Sequence, residues 1–242
     1  MLLEVAGLSK SFGGVRAVDD VSWSMESGQT HCIIGPNGAG KSTFFQLLMG
    51  RLRADAGHIR FCGIDVTRRH PFERARLGLA VKPQTLGVFA ELAADHNLRL
   101  CLQRMASGRA LEDLLDERLA HLGLSAKRAF LAKELSHGEK QWLGLGMAMA
   151  TAPKLLLLDE PTAGMSPAET KKTIDLIRTV AASGTSVLVV EHDMAFVRAL
   201  SVATTVFDSG RIFMTGAWTE VESNEDVQRL YLGKRGASKS RH

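Results

Sequence analysis

Apolar residues fall along this chain in two rhythms. Short alternating or β-rich runs come first, Leu2 to Ala6, Val21 to Met25 and His58 to Cys62, and glycines at 7, 13, 14, 28 and 63 punctuate them, which predicts half-buried strands. Among them Thr30-His31-Cys32-Ile33-Ile34 reads as a buried strand, and Phe44 to Met49 as a helix closed by Gly50. Leu77 to Gln84 is again strand-like and ends in Pro83 and a polar residue. Beyond it the texture turns helical: Leu111, Leu114, Leu115, Leu119 and Leu122 keep a helical period, and Gly123 stops it. The pattern predicts a helical lobe over about 86–152, inserted between core strands, with Gln84 at its hinge.

Strands and helices then alternate. Trp142 to Ala150 is an apolar helical run behind Ser136, which fits an N-cap with Glu139 as its capping-box partner. Leu155 to Leu158 is too short for most helices, lies between Pro153 and Pro161, and reads as a central parallel strand. Ser166 to Ala182 is a helix, and Ser186 to Val190 a buried strand closed by Glu191-His192-Asp193. Thr204 to Asp208 and Arg211 to Met214 flank the Ser209-Gly210 turn as a last hairpin.

The chemistry sits where strands end. Gly35-Pro36-Asn37-Gly38-Ala39-Gly40-Lys41-Ser42, followed by Thr43, stands at a strand-to-helix turn. Glycines there let the backbone aim successive N–H groups at phosphate oxygens, and the helix start adds its positive dipole end. In such a loop Lys41 reaches the β- and γ-phosphates and the Ser42 hydroxyl holds Mg²⁺. Asp159 and Glu160 end the strand Leu155 to Leu158, and buried acids need compensation, which a phosphate-bound metal supplies. Asp159 is then a metal ligand, and Glu160 the group that polarises an attacking water. Three features stay open on the residues alone. Phe12 could lie on an adenine face or simply pack; His192 could act on phosphate or be a structural histidine; Ser136 to Glu139 could be no more than a well-capped helix start.

Composition narrows the class. The 242 residues are 45% hydrophobic and 23% charged, enough for one large domain with a sizeable core. Lys234, Arg235, Lys239 and Arg241 equal the whole net charge of +4, so the body is formally neutral and the basic end is expected to be solvated and frayed from residue 234. A neutral body argues against nucleic acid as a partner. Cys32, Cys62 and Cys101 are far apart and without metal-ligand spacing, as packed reduced thiols would be. No apolar run reaches bilayer length and the start has no basic leader, so a cytoplasmic location is expected.

Gly35 to Ser42, Gln84, Leu135 to Gln141, Leu156 to Glu160 and Val190 to Asp193, in this order, resemble the nucleotide-binding subunits of ATP-binding cassette (ABC) transporters over Leu2 to about Gly233. Phe12-Gly13-Gly14, Arg74 to Gly78, Ala163-Gly164-Met165-Ser166 and Leu230 to Gly233 look like the branched-chain amino acid importers. Leu135-Ser136-His137-Gly138-Glu139-Lys140-Gln141-Trp142 leans toward the urea and short-amide importers.

The resemblance implies an α/β fold with a RecA-like core of mostly parallel strands, an antiparallel β subdomain and an inserted α-helical subdomain. It implies ATP and Mg²⁺ as ligands. It makes Phe12 the adenine-stacking aromatic, Gln84 the metal- and water-sensing glutamine, Glu160 the general base and His192 the γ-phosphate switch. Ser136, His137, Gly138 and Glu139 become the signature that closes over ATP held by another cassette. The expected partners are an identical or related ATPase, transmembrane permease subunits that hold the chain at the inner face of the membrane, and indirectly a periplasmic or extracellular substrate-binding protein. The sequence departs from the pattern at three places: His137 for glycine, Glu139 for glutamine, and Ser166 where many relatives carry aspartate. None removes a phosphate or metal ligand, but all bear on coupling between two sites. Three rivals remain: an exporter ATPase, a soluble cassette ATPase acting on nucleic acid or ribosomes, and a P-loop phosphotransferase.

Overall fold

A computed structural model describes residues 1–82 and 87–237, with side chains as far as 231. In chain order the elements are β1 (Leu3–Phe12), β2 (Val15–Met25), β3 (Thr30–Ile34), α1 (Lys41–Met49), β4 (Ala56–Phe61), β5 (Ile64–Asp65), α2 (Pro71–Arg76), β6 (Leu79–Lys82), α3 (Ala94–Leu102) and α4 (Gly108–Leu122). They continue with α5 (His137–Met149), β7 (Leu155–Asp159), α6 (Pro167–Ala182), β8 (Ser186–Val190), α7 (Met194–Leu200), β9 (Ala203–Asp208), β10 (Arg211–Gly216), α8 (Trp218–Ser223) and α9 (Glu225–Ala237). Two compact units form, Met1–Leu77 with Leu188–His242, and Gly78–Val187. The second unit therefore holds more than the predicted lobe: it takes in β6, β7 and α6 as well.

In the first unit an antiparallel sheet runs β2-β1-β4-β5. In β1, Leu3 and Val5 point inward with the period of two expected of a sheet with one wet face, and a register shift beyond Val5 brings Leu8 inward as well. Strand β3 lies parallel to β9, and β9 antiparallel to β10 across Ser209-Gly210, whose φ values of 50° and 82° are those of a two-residue hairpin turn. Behind β3, Phe44 of α1 stands 5.1 Å from Phe207 and 6.2 Å from Trp23 between ring centroids, aromatic contacts that fix where α1 begins. The buried Arg74 guanidinium donates to Leu47 O at 2.7 Å and Leu48 O at 2.6 Å, satisfying carbonyls at the C-terminal end of α1.

In the second unit β6 pairs in parallel with β7 from Leu79–Leu155 to Lys82–Leu158. Leu98, Leu102, Leu115, Leu119, Leu122, Trp142 and Leu143 of α3, α4 and α5 close a helical core, and the period read from Leu111 to Leu122 is the buried face of α4. Strand β8 starts in the second unit, where Ser186 N–H donates to Lys154 O, and ends in the first, where Glu191 N–H donates to Ile33 O. The basic end, expected to fray from Lys234, is helical as far as Ala237. Among the described residues no helix is long and apolar enough to cross a membrane, and Cys32, Cys62 and Cys101 are free thiols.

Candidate functional site

The glycine-rich turn leaves β3 and enters α1 in the first unit. Two of its glycines admit no other residue. Gly35 has φ 151°, and a Cβ there would lie 2.3 Å from Phe207 O; Gly40 has φ 100°, and its Cβ would lie 2.1 Å from Ala17 O. Both the left-handed backbone and the lack of space exclude a side chain. Gly40 caps α1 without a side-chain hydrogen bond, and no acid stands in the first turn, so the amides of that turn and the dipole face outward as an anion site. Lys41 is 7% exposed and its Nζ donates to Gly35 O at 2.6 Å and Pro36 O at 3.0 Å, holding a positive charge on the loop's own rim. Asn37, Gly38 and Ser42 are exposed, and Thr43 is half-buried. Ala39 O accepts from Gly210 N–H at 3.0 Å, tying the loop to the β9–β10 hairpin.

Phe12 closes β1 at another two-residue turn, Gly13 and Gly14 with φ 52° and 86°, and pairs across the hairpin with Val15. It is 47% exposed, which settles against a core-packing role, and Lys10 Nζ stands 5.4 Å from its ring centroid. Ala17, two residues past Val15, is the residue against Gly40, so this hairpin and the glycine turn meet within one unit. The end of β8 belongs to the same unit. Glu191, 1% exposed, accepts from His192 N–H at 2.9 Å and Asp193 N–H at 3.3 Å. Asp193 in turn caps α7, accepting from Ala195 and Phe196. His192 is thereby held with its ring exposed, Nδ1 3.7 Å from the Glu191 carboxylate.

The second unit carries the other predicted residues. The four leucines of β7 have no exposure, and Asp159 and Glu160 emerge half-buried at its end. Glu160 sits at φ 43°; a non-glycine residue in this left-handed region costs about 1–3 kcal/mol, and such strain clusters at functional turns. Two tight turns follow, Ala163 N–H to Glu160 O and Met165 N–H to Thr162 O. The capping box predicted at Ser136 is present: Glu139 N–H donates to Ser136 Oγ at 3.2 Å, and Ser136 N–H to Glu139 Oε2 at 2.9 Å. Burial works against the charged Glu139 carboxyl, but hydrogen bonds from Lys127 and Ser136 outweigh it and hold the group below the usual glutamate range. His137 Nε2 lies 2.9 Å from Ala163 O; the carbonyl can only accept, so this nitrogen carries the proton.

By unit, Phe12, Gly35 to Thr43 and His192 lie in one, and Asp159, Glu160 and Ser136 to Glu139 in the other. Gln84 lies outside the described residues. The fit to the expected ligands is good on the first unit's own terms, because the spaces at Gly35 and Gly40 are shaped for backbone alone and the helix start is uncapped. Ser42 and Asp159 offer hard oxygen donors of the kind Mg²⁺ takes. Sequence reasoning missed Glu169, which reaches the signature helix; the Ser166-x-x-Glu169 spacing was its signal.

Comparison with known proteins decides the family. Residues 18–163 match the family described as ABC transporter. The chain belongs to that family. It is 34% identical over 238 residues to a probable ABC transporter ATP-binding protein of Azorhizobium caulinodans, covering 96% of this chain and 83% of that one. It is 32% identical over 234 residues to the lipopolysaccharide export system ATP-binding protein LptB of Escherichia coli K12, covering 96% and 97%. A ribose import ATP-binding protein, RbsA of Halalkalibacterium halodurans, is 31% identical and matched over 95% of this chain but 47% of its own length. A solved nucleotide-free ATP-binding cassette superposes with TM-score 0.84 at 29% identity, covering 95% of this chain and 98% of that one. An ATP-binding cassette in its ADP conformation does so with TM-score 0.86 at 29% identity, covering 96% and 98%. The fold is the P-loop cassette fold of ABC ATPases, and the protein is an ATP hydrolase of the transport class.

Proposed function

We propose that this cassette works in a pair, with an identical or a related ATPase, closing head to tail around two Mg-ATP, hydrolysing them and reopening, and so drives a permease between inward- and outward-facing states. The observation that carries the reading is the Gly35–Lys41 turn, where two glycines leave room for backbone only and lead into an uncapped, acid-free helix start. The phosphate loop serves one face of a triphosphate, and the Ser136 to Glu139 signature at the start of α5, as the family resemblance implies, serves the other face of ATP held by a second cassette. Lys41 and the first-turn amides of α1 offset γ-phosphate charge; Glu160 orients a water and takes its proton; His192 contacts the γ-phosphate; Gln84 reports the state of the site to the permease. Mg²⁺ held by Ser42 and Asp159 would neutralise charge on the β- and γ-oxygens. Magnesium-dependent phosphate release by the purified chain tests this reading, and its absence in intact protein with ATP bound contradicts it.

Phe12 then carries the base. Phe12→Ala should weaken nucleotide binding by about 1–3 kcal/mol, the usual worth of base–aromatic stacking. Equilibrium titration checks this, and unchanged affinity removes Phe12 from the site.

The permease docks on the lobe beside Gln84. Phe89 is 55% exposed, yet its backbone is clamped: Asn97, buried, accepts from Phe89 N–H at 2.7 Å and donates to Phe89 O at 3.1 Å and Leu92 O at 3.1 Å. An exposed aromatic on a rigid support is what an interface anchor needs. Phe89→Ser should lower recovery of membrane partners on copurification by about tenfold, on the order of a buried aromatic's transfer energy; full recovery would place docking elsewhere. Docking would keep the chain peripheral on the inner face of the membrane.

The transported molecule is assigned on residues alone. Phe12-Gly13-Gly14, Ala163 to Ser166 and Leu135 to Trp142 favour an importer of branched-chain amino acids, or of urea and short amides, served by an outer substrate-binding protein. The relatives' names point to other cargoes, lipopolysaccharide export for LptB and ribose import for RbsA, so an exporter ATPase is the second reading. Sequencing the proteins that copurify with the chain separates the two: a substrate-binding protein marks import.

A further inference from the structure

Past the C-terminal end of α1 lies a cavity of about 820 Å³, walled by residues 53–58 and by Asp65, Thr67, Arg68 and Arg69, all within the first unit. Small-molecule sites commonly span about 300–1,000 Å³, so the space suits such a ligand. Its walls are braced. Ile59 N–H donates to Thr67 Oγ1 at 2.9 Å and Val66 N–H to Ile59 O at 2.8 Å, joining the two wall segments. Gly57 is seated so close to β1 that a Cβ there would lie 2.4 Å from Gly7 O. Behind the second wall the buried Arg74 donates to Arg69 O at 3.2 Å and Thr67 O at 3.3 Å, besides its bonds to α1. A wall held this way loses little freedom when a ligand binds.

The lining is cationic. From residue 51 to 76 the sequence holds seven arginines, no lysine and three acids, in a body that is formally neutral. Two of those acids line the cavity, and both are engaged. Asp55 accepts from Lys10 Nζ and Ser11 N–H, each at 2.7 Å, and Asp65 accepts from Thr67 N–H at 2.8 Å and faces His58 Nδ1 at 3.8 Å. Lys10 cancels the charge of Asp55, so the guanidinium groups of Arg53, Arg68 and Arg69 outnumber the one carboxylate left. Arg53 and Arg68 are exposed and Arg69 half-buried; among the described residues none of the three side chains has an ion pair or a hydrogen bond.

We propose that this cavity binds a free anion carrying two or more phosphate groups, at a site separate from the phosphate loop. The planar fork of arginine takes phosphate oxygens in pairs, and three forks on a braced wall exceed what one phosphate group can fill. The nine residues of α1, about 14 Å at 1.5 Å each, stand between the glycine turn and this wall. The site is concave, which suits a soluble ligand better than the surface of a bilayer.

The test titrates inorganic tripolyphosphate into the full chain saturated with ADP, so that the phosphate loop is filled, and follows the backbone amides by NMR. Saturable shifts centred on residues 53–58 and 65–69 are expected. Arg68→Gln and Arg69→Gln should each weaken this binding by about tenfold, the usual effect of losing a charge-assisted hydrogen bond. Arg76→Gln removes an exposed arginine of α2 that does not line the cavity; it should change the affinity by less than about twofold, and ADP affinity should hold in all three variants. Shifts that never saturate, or an equal loss in Arg76→Gln, mean diffuse attraction to positive charge and overturn the proposal. So does a chain that ignores tripolyphosphate but is captured through Arg68 and Arg69 by phosphatidylglycerol vesicles, since the ligand is then a lipid headgroup.

Discussion

Glu160→Gln should bind ATP as the wild type does and lose turnover by about 10²–10⁴-fold, the usual contribution of a general base. The substitution keeps the size of the side chain and removes only its ability to take a proton. Its position supports the role. Four leucines without exposure deliver it to the end of β7, and the backbone then bends through φ 43°, a conformation that costs energy and is retained where a side chain must be aimed. Phosphate release checks the rate, and a nucleotide titration checks that binding survives. An undiminished rate takes the base away from Glu160 and leaves it as a turn residue.

Lys41→Ala should weaken ATP binding by about ten- to a hundredfold, the equivalent of one charge-assisted hydrogen bond or slightly more. Lys41 does two jobs. Its ammonium places positive charge at the loop, and by bonding Gly35 O and Pro36 O it holds the loop in its curled form. Removing it also leaves two carbonyls to find other donors, so a modest drop in melting temperature should accompany the loss of affinity. Titration with labelled ATP, read beside the thermal midpoint, distinguishes a lost ligand contact from a collapsed loop. Retained affinity would mean that the backbone amides suffice.

The local chemistry was legible because it is written in consecutive residues. The glycine turn, the Ser136 capping box and the carboxylates after β7 each rest on neighbours in sequence, and the structure has them where the spacing put them. The Gly13-Gly14 hairpin is within reach too: two glycines between strands are a standard turn signal, and the turn carries β1 beyond Ala6, where the alternating pattern stops, to Phe12. The short helices α2, α7 and α8 went unread, since six or seven residues hold too few turns to show a period. Glu169 shows the deeper limit. Its Oε1 comes to rest against Gly138, 31 residues away in sequence, and no local pattern reports which way the second oxygen of a capping glutamate turns. The exposure of Phe12 was equally invisible, because burial of an aromatic depends on what the rest of the chain lays over it.

On the proposed paired mechanism, two cassettes come together only with nucleotide between them. The mass of the Glu160→Gln protein, isolated with any ATPase that copurifies, measured by light scattering with and without Mg-ATP, tests it most directly. A two-cassette particle that forms with Mg-ATP and falls apart to single cassettes without it is the predicted result; cassettes that bind ATP to saturation and stay single would contradict the account.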